Sequence, residues 1–306
     1  MTHISVVAPI YNEEQNIEEF ASRVKIALEK ISTDYKIFFI DDGSKDGSWL
    51  KIKKLSENDD KIIGLKFSKN FGHHYAITAG LNHVNSDWVI VMDSDLQDRP
   101  EVIPELYQKA QEGFDIVFVS RINRPESILY RSLQKLFYFI LKVSSGIKFD
   151  SSQANFSIIS RKVVEAFNKF PEQARFYGST ILWLGFKRTS INAEHGTRFK
   201  GNPSYDFKKR LRLASDIILA FSDRPLKFAV VIGLLFSLIS LIMTIYVLFR
   251  ALFDEFTVTG WASLILSIFL IGGVQISILG ILGIYISKVF NEVKSRPLYL
   301  IDEKIL

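Results

Sequence analysis

The segment 89–100, VIVMDSDLQDRP, runs an apolar stretch directly into acids, a glutamine and a proline. Asp93 and Asp95 stand at i and i+2 and the amide of Gln97 at i+4, so one short loop offers three hard oxygen ligands. Such a set suits Mg2+ or Mn2+, ions that keep part of their water and bind substrate phosphates besides. An ion held there neutralises charge developing on a departing diphosphate. A bare D-x-D pattern is common by chance. Its position gives it weight, because residues 88–92 read as a strand covered on both faces and Pro100 is placed to open the next helix. The acids then fall at the strand's carboxyl end.

That position implies a scaffold. Residues 4–10 form a strand candidate, followed by Asn12 and Gln15 at capping-box spacing and a helical stripe of Ile17, Phe20, Val24, Leu28 and Ile31. Further strands are expected at 36–40, 62–67 and 115–119, with helical stretches between them. The alternation predicts an α/β domain with a mostly parallel sheet and helices on both faces, whose ligands collect beyond the carboxyl ends of the strands. Polar residues follow the strands in order: Tyr11, Asn12 and Glu13; Asp41 and Asp42; Asn70; Asp93, Asp95 and Gln97; then Arg121. Any one of them is an ordinary cap or turn residue; together they outline one crevice. His73 and His74 are expected at a helix start beside the ligand of this crevice rather than on a metal.

Composition bounds the rest. The 306 residues include no cysteine, which excludes disulfides and thiolate metal sites, and 38 basic against 33 acidic residues give a charge of +5, too mild to imply a nucleic-acid partner. The C-terminal quarter differs: residues 228–249 and 261–287 are 22 and 27 residues without a charge. A span needs about 20 apolar residues, so the expectation is a transmembrane hairpin. Basic residues flank it on both outer sides, whereas the connection carries Asp254 and Glu255, which predicts both termini in the cytoplasm. The chain is expected in the inner membrane. No cleavable signal peptide is expected at the start.

Ahead of the hairpin, residues 206–224 mix Lys208, Lys209, Arg210 and Arg212 with Phe207, Leu211 and Ile217, as an interfacial helix on membrane lipids does. Before it, the glycine-containing stretch 195–205 reads as a mobile loop whose Arg198 and Lys200 close over phosphates. Residues 133–143 either flank a lipid acceptor or belong to the core. The expected organisation is a cytoplasmic α/β domain over 1–205, a juxtamembrane helix over 206–227, the hairpin over 228–287 and a tail over 288–306. Gly272, Gly273, Gly280 and Gly283 allow the close helix contact of a homo-oligomer.

Several ordered motifs carry a family resemblance. VVAPIYNEEQNI, FIDDGSKDGS, KNFGHHYAITAGL and VMDSDLQDRP resemble the successive motifs of family 2 glycosyltransferases with the GT-A fold. The tail GGVQISILGILGIYISKVFNEVKSRPLYL is similar to the membrane hairpin of polyprenyl-phosphate glycosyltransferases, such as bactoprenol glucosyltransferases and relatives of dolichol-phosphate mannose synthase. The resemblance implies that Pro9, Tyr11, Glu13 and Asp42, with Asn70 beside them, hold the nucleotide sugar. It further implies that Asp93, Asp95 and Gln97 hold Mg2+ or Mn2+ on its diphosphate, that Arg121 and Arg131 meet phosphate, and that Arg131, Arg198 and Lys200 meet the acceptor. The reaction implied is inverting transfer of one sugar, UDP-glucose-like in its donor, to an undecaprenyl-type phosphate. The sequence departs from the pattern at Ala154, Asn155, Phe156 and Ser157, where many glucosyltransferases of this group show Gly-Asp-Phe-Arg. Asn155 donates and accepts hydrogen bonds but cannot serve as a carboxylate base. Two other readings stay open: a glycan synthase, whose usual Gln-x-x-Arg-Trp signature is absent, and a nucleotide-sugar-binding membrane partner without turnover.

Overall fold

The computed structural model describes residues 3–122, 153–170, 172–173, 175–194, 224–253 and 260–306. These fall into two compact units, the second made of the long C-terminal helices. The first unit is built on one sheet of eight strands in the order β7-β5-β6-β4-β1-β2-β3-β8. The strands are β1 (Ile4–Ile10), β2 (Tyr35–Asp41), β3 (Ile62–Phe67), β4 (Trp88–Val91), β5 (Ile116–Ile122), β6 (Gln153–Ser160), β7 (Arg188–Glu194) and β8 (Ile301–Ile305). Its helices are α1 (Ile17–Glu29), α2 (Ser48–Asn58), α3 (His73–His83), α4 (Ile103–Gln111), α5 (Arg161–Asn168) and α6 (Tyr177–Trp183).

Strands β1 to β4 are mutually parallel, and β5 with β7 runs the same way. β6 is inserted antiparallel between β4 and β5, and β8 is antiparallel on the edge of β3. The sheet is therefore mostly parallel, as its alternating pattern predicts, with two reversed strands that the pattern does not announce.

The period-2 alternation of side chains along a strand sorts the apolar residues into two cores. Ile4, Val6, Ala8 and Ile10 of β1, with Ile90 and Met92, pack against Phe20 and Val24 of α1, Ile52 of α2 and Leu106 of α4. Val7, Val89 and Val91 face the other side, against Ile77 of α3, Phe167 of α5 and Tyr177 of α6. A sheet covered on both faces explains why residues 88–92 are uniformly apolar.

One local expectation is corrected. α1 begins after Asn16, and Asn12 takes no part in a capping box. Asn12 adopts a left-handed φ of 55°, a conformation that asparagine visits more readily than most residues. Its side-chain oxygen accepts from the Lys45 backbone N–H at 2.9 Å, which ties the loop after β1 to the loop after β2. Pro100 does open a helix, through the 3-10 turn Pro100–Val102 that leads into α4.

The second unit contains α7 (Arg224–Phe253) and α8 (Trp261–Val293), which cover the two stretches expected to span a membrane. Among the described residues, Leu270–Val293, of 24 residues and mean hydropathy 1.9, is long and apolar enough to cross one, and Leu226–Phe236 is a shorter apolar stretch. The expected interfacial helix over 206–224, except Arg224 at the start of α7, the loop over 195–205 and the stretch 133–143 lie outside the described residues.

Candidate active site

The crevice is assembled from loops at the carboxyl ends of β1, β2, β3 and β4. The loops after β1 and β2 interlock: besides the Asn12 contact, the Asn12 N–H donates to Ser44 Oγ at 2.9 Å, the Glu13 N–H to Ser48 Oγ at 3.0 Å and the Gly47 N–H to Glu14 Oε2 at 3.1 Å. Glu13 turns its carboxylate back to the Asn16 side chain at the start of α1. Tyr11 stands on the rim, 44% exposed. Pro9 is buried in β1, and its carbonyl accepts from Ser94 Oγ at 3.3 Å, fastening the acidic loop to the neighbouring strand.

The loops after β2 and β3 touch through Gly43, whose φ is +69°. A Cβ there would lie 2.4 Å from the carbonyl carbon of Lys69, so no larger residue fits. Asn70 is exposed beside this contact. Asp42 is 2% exposed, and its carboxylate is engaged in the turn ahead of α3. Oδ1 accepts from the N–H groups of Phe71 at 2.7 Å and Gly72 at 3.1 Å, and Oδ2 accepts from Gly72 at 2.9 Å. Burial pushes the Asp42 carboxyl above its ordinary range, and these backbone donors pull it part of the way back. The residue that the resemblance assigns to the nucleotide therefore also builds the turn that delivers His73.

After β4, half-buried Asp93, Asp95 and Gln97 alternate with buried Ser94, Leu96 and Asp98. The three expected ligands thus share the accessible side of one loop. Asp95 Oδ1 accepts from the Gln97 N–H at 3.1 Å, and Leu96 takes a left-handed φ of 60°, which curls the loop tightly. Among the described residues no three His, Asp or Glu side chains gather into a closed metal site. Two half-buried carboxylates and an amide on one loop nonetheless fit an oxygen-seeking ion that completes its shell with phosphate and water. Leaving those positions to substrate is what a diphosphate-binding ion requires.

His73, the first residue of α3, lies between this loop and β6. Its Nε2 is 3.2 Å from Asp93 Oδ1 and 3.3 Å from the Asn155 side-chain amide. Burial lowers the affinity of His73 for a proton, but Asp93 foremost, with Asp42 and Asp95, more than offsets it, and its pKa is raised. His74 has the opposite fate: burial and the neighbouring charge of His73 push its pKa down to about 3. It is neutral, and its ring meets those of His73 and Phe176 edge-on, both at 5.5 Å.

The structure thus brings Asn155 to Asp93 through a histidine that the sequence placed only beside the ligand of the crevice. Arg121 lies within β5, opposite Ala193 of β7, because that strand runs on to Ile122. Arg131, Arg198 and Lys200 lie outside the described residues.

Residues 5–167 match the glycosyl transferase family 2 model. A bactoprenol glucosyl transferase of Shigella phage SfII is 36% identical over 301 residues, covering 98% of this chain and 97% of that protein. An undecaprenyl-phosphate 4-deoxy-4-formamido-L-arabinose transferase of Salmonella choleraesuis is 32% identical over 305 residues, covering 99% and 93%. Among solved structures, glucosyl-3-phosphoglycerate synthase of Mycobacterium tuberculosis, in complex with Mn2+, UDP-glucose and phosphoglyceric acid, aligns with a TM-score of 0.52. That match covers 71% of this chain and 78% of that one at 18% identity, a likeness of fold alone. With its GT-A-like mixed sheet and a family match over more than half its length, the chain belongs to glycosyl transferase family 2.

Proposed function

We propose that the protein transfers a single sugar from a nucleoside-diphosphate sugar, UDP-glucose-like, to a polyprenyl phosphate of the undecaprenyl type. The carrying observation is the match over nearly the whole chain, C-terminal helices included, to relatives named for bactoprenol and undecaprenyl phosphate. The product serves synthesis or modification of a cell-surface glycan such as lipopolysaccharide. In this reading α7 and α8 anchor the α/β unit at the cytoplasmic face of the inner membrane.

The acceptor phosphate is anionic near neutral pH, so its oxygen attacks the anomeric carbon without a base to remove a proton. One bond forms from that oxygen to the anomeric carbon as the bond from that carbon to the β-phosphate oxygen breaks, and the nucleoside diphosphate departs. Attack from the face opposite the leaving group inverts the anomeric centre. What the protein must supply is alignment and stabilisation of the leaving group. Asp93, Asp95 and Gln97 would hold Mg2+ or Mn2+, which supplies Lewis-acid stabilisation to the diphosphate. Tyr11 presents its ring to the base. Arg121 and Arg131 complement phosphate charge, and Arg131, Arg198 and Lys200 receive the acceptor.

The test supplies purified full-length protein with a short polyprenyl phosphate, a panel of nucleotide sugars and Mg2+ or Mn2+. A lipid-linked monosaccharide of inverted configuration, lost on chelation, is the expected product. Sugar chains longer than one residue would establish a glycan synthase instead. Nucleotide-sugar binding with no lipid product from any donor would establish a non-catalytic partner.

A further inference from the structure

We propose that His73 is the positioning residue of the Asp93 carboxylate, coupling it to Asn155 on the neighbouring strand. The inference rests on the reading that Asp93 holds an ion on the donor diphosphate. It begins with sheet register. β4 and β6 are antiparallel, with Trp88 opposite Ser160 and Val91 opposite Ser157. Carried two residues further, that register sets Asp93 level with Asn155. Because β6 runs against the other strands here, its first residues, rather than its last, reach the crevice.

The ring of His73 fills the gap between the two, with Nε2 at 3.2 Å from Asp93 Oδ1 and 3.3 Å from the amide of Asn155. The same ring nitrogen therefore meets both groups, and the Asn155 amide limits how far the ring can turn away from Asp93.

The ring is itself held. Asp42 fixes the N–H groups of Phe71 and Gly72, and Gly72 takes a φ of +120°, which sets the direction in which α3 starts. The edge contact with His74 restricts the ring from the side. A chain of contacts therefore runs from β2 through the first residue of α3 to the ends of β4 and β6. Its outcome is one orientation of Asp93, with Oδ1 3.2 Å from His73 Nε2. Partners of this kind orient ligating carboxylates, and their loss costs about 10- to 100-fold in metal affinity.

The experiment measures UDP binding to the full-length protein by calorimetry, once with Mn2+ and once with EDTA. The readout is the gain in UDP affinity that Mn2+ confers. His73→Ala is expected to reduce that gain about 10- to 100-fold, so that UDP binding falls more with Mn2+ than with EDTA. His73→Gln, whose amide N–H extends toward the place of Nε2–H, is expected to restore most of it. A general structural defect would instead weaken binding equally with and without Mn2+. Should His73→Ala fail to fold, His73→Phe keeps the ring volume beside His74 without an N–H and makes the same comparison. A full Mn2+ gain in the variants, or a larger one, overturns the inference alone. No Mn2+ gain in the wild-type protein overturns the donor-site reading and this inference with it.

Discussion

The indole N–H of Trp49 donates to Glu303 Oε2 at 2.8 Å, joining residues 254 positions apart. The contact exists because β8, which follows the last long helix, returns to the α/β unit and pairs antiparallel with β3. Without it, apolar β3 would be the sheet edge. The sequence IDEKI suits an edge strand, since Asp302, Glu303 and Lys304 discourage pairing with a further chain. Tyr299 leads into it, stacked on Phe67 at 5.1 Å and 11° and accepting from Asn82 Nδ2 at 3.0 Å. Tyr299→Ala removes both contacts and is expected to cost about 1 to 3 kcal/mol. Thermal unfolding in detergent measures this, and an unchanged midpoint would show that the returning strand adds no stability.

Asp41 gives stability a pH dependence. It is fully buried, its Oδ1 accepts from the Ser44 N–H at 3.2 Å, and its Oδ2 has no hydrogen-bond partner among the described residues. Burial raises its pKa, with Ser44 and Lys66 opposing. The folded state therefore holds this proton more tightly than the unfolded state does. The corresponding stability is complete below the unfolded pKa and is lost as pH rises through the folded one. Asparagine carries no charge at any pH. Asp41→Asn should thus gain stability relative to wild type as pH is raised from about 4 to about 7. Unfolding midpoints across that range decide it, and a flat or falling difference contradicts the assignment.

Most of the scaffold was legible because its strands are apolar runs. β1 and β3 have the expected bounds, and β2, β4 and β5 differ by a few residues at their ends. β6, β7 and β8 escaped for a shared reason: QANFSIIS, RTSINAE and IDEKI are diluted with polar or charged residues. β7 and β8 lie at the two edges of the sheet, where such residues reach water. The acidic loop could be found because its three candidate ligands lie within five residues of sequence. The contact between His73 and Asn155 could not, because it spans 82 positions and depends on the reversed direction of β6.

The charge asymmetry predicts a topology. Lys208, Lys209, Arg210, Arg212, Arg224 and Lys227 precede the first apolar stretch, and Lys288, Lys294, Arg296 and Lys304 follow the second. The connection between them has only Asp254 and Glu255 as charged residues over 251–260. Excess Lys and Arg are retained on the cytoplasmic side. Protease-sensitive tags at either terminus should be cut only from the cytoplasmic side, and a tag near Thr257 only from the opposite side. A C-terminal tag cut from outside would rule out a two-span hairpin with both ends inside.

Asn155 tests how the acceptor is activated. Its amide lies 3.3 Å from His73 Nε2, where the proposed donor and acceptor would meet, and an amide does not act as a base at neutral pH. If the acceptor phosphate is its own nucleophile, nothing is lost by the absence of a carboxylate here, and the amide acts by hydrogen bonding alone. Asn155→Ala leaves the facing partner unsatisfied, a loss of about 1 to 3 kcal/mol in transfer. The pH optimum should stay where it is, because no titrating base has been removed. Rates for wild type and Asn155→Ala across pH, with the same donor and polyprenyl phosphate, separate the two cases. A fall confined to one limb of the pH profile would instead place Asn155 in a proton-transfer path.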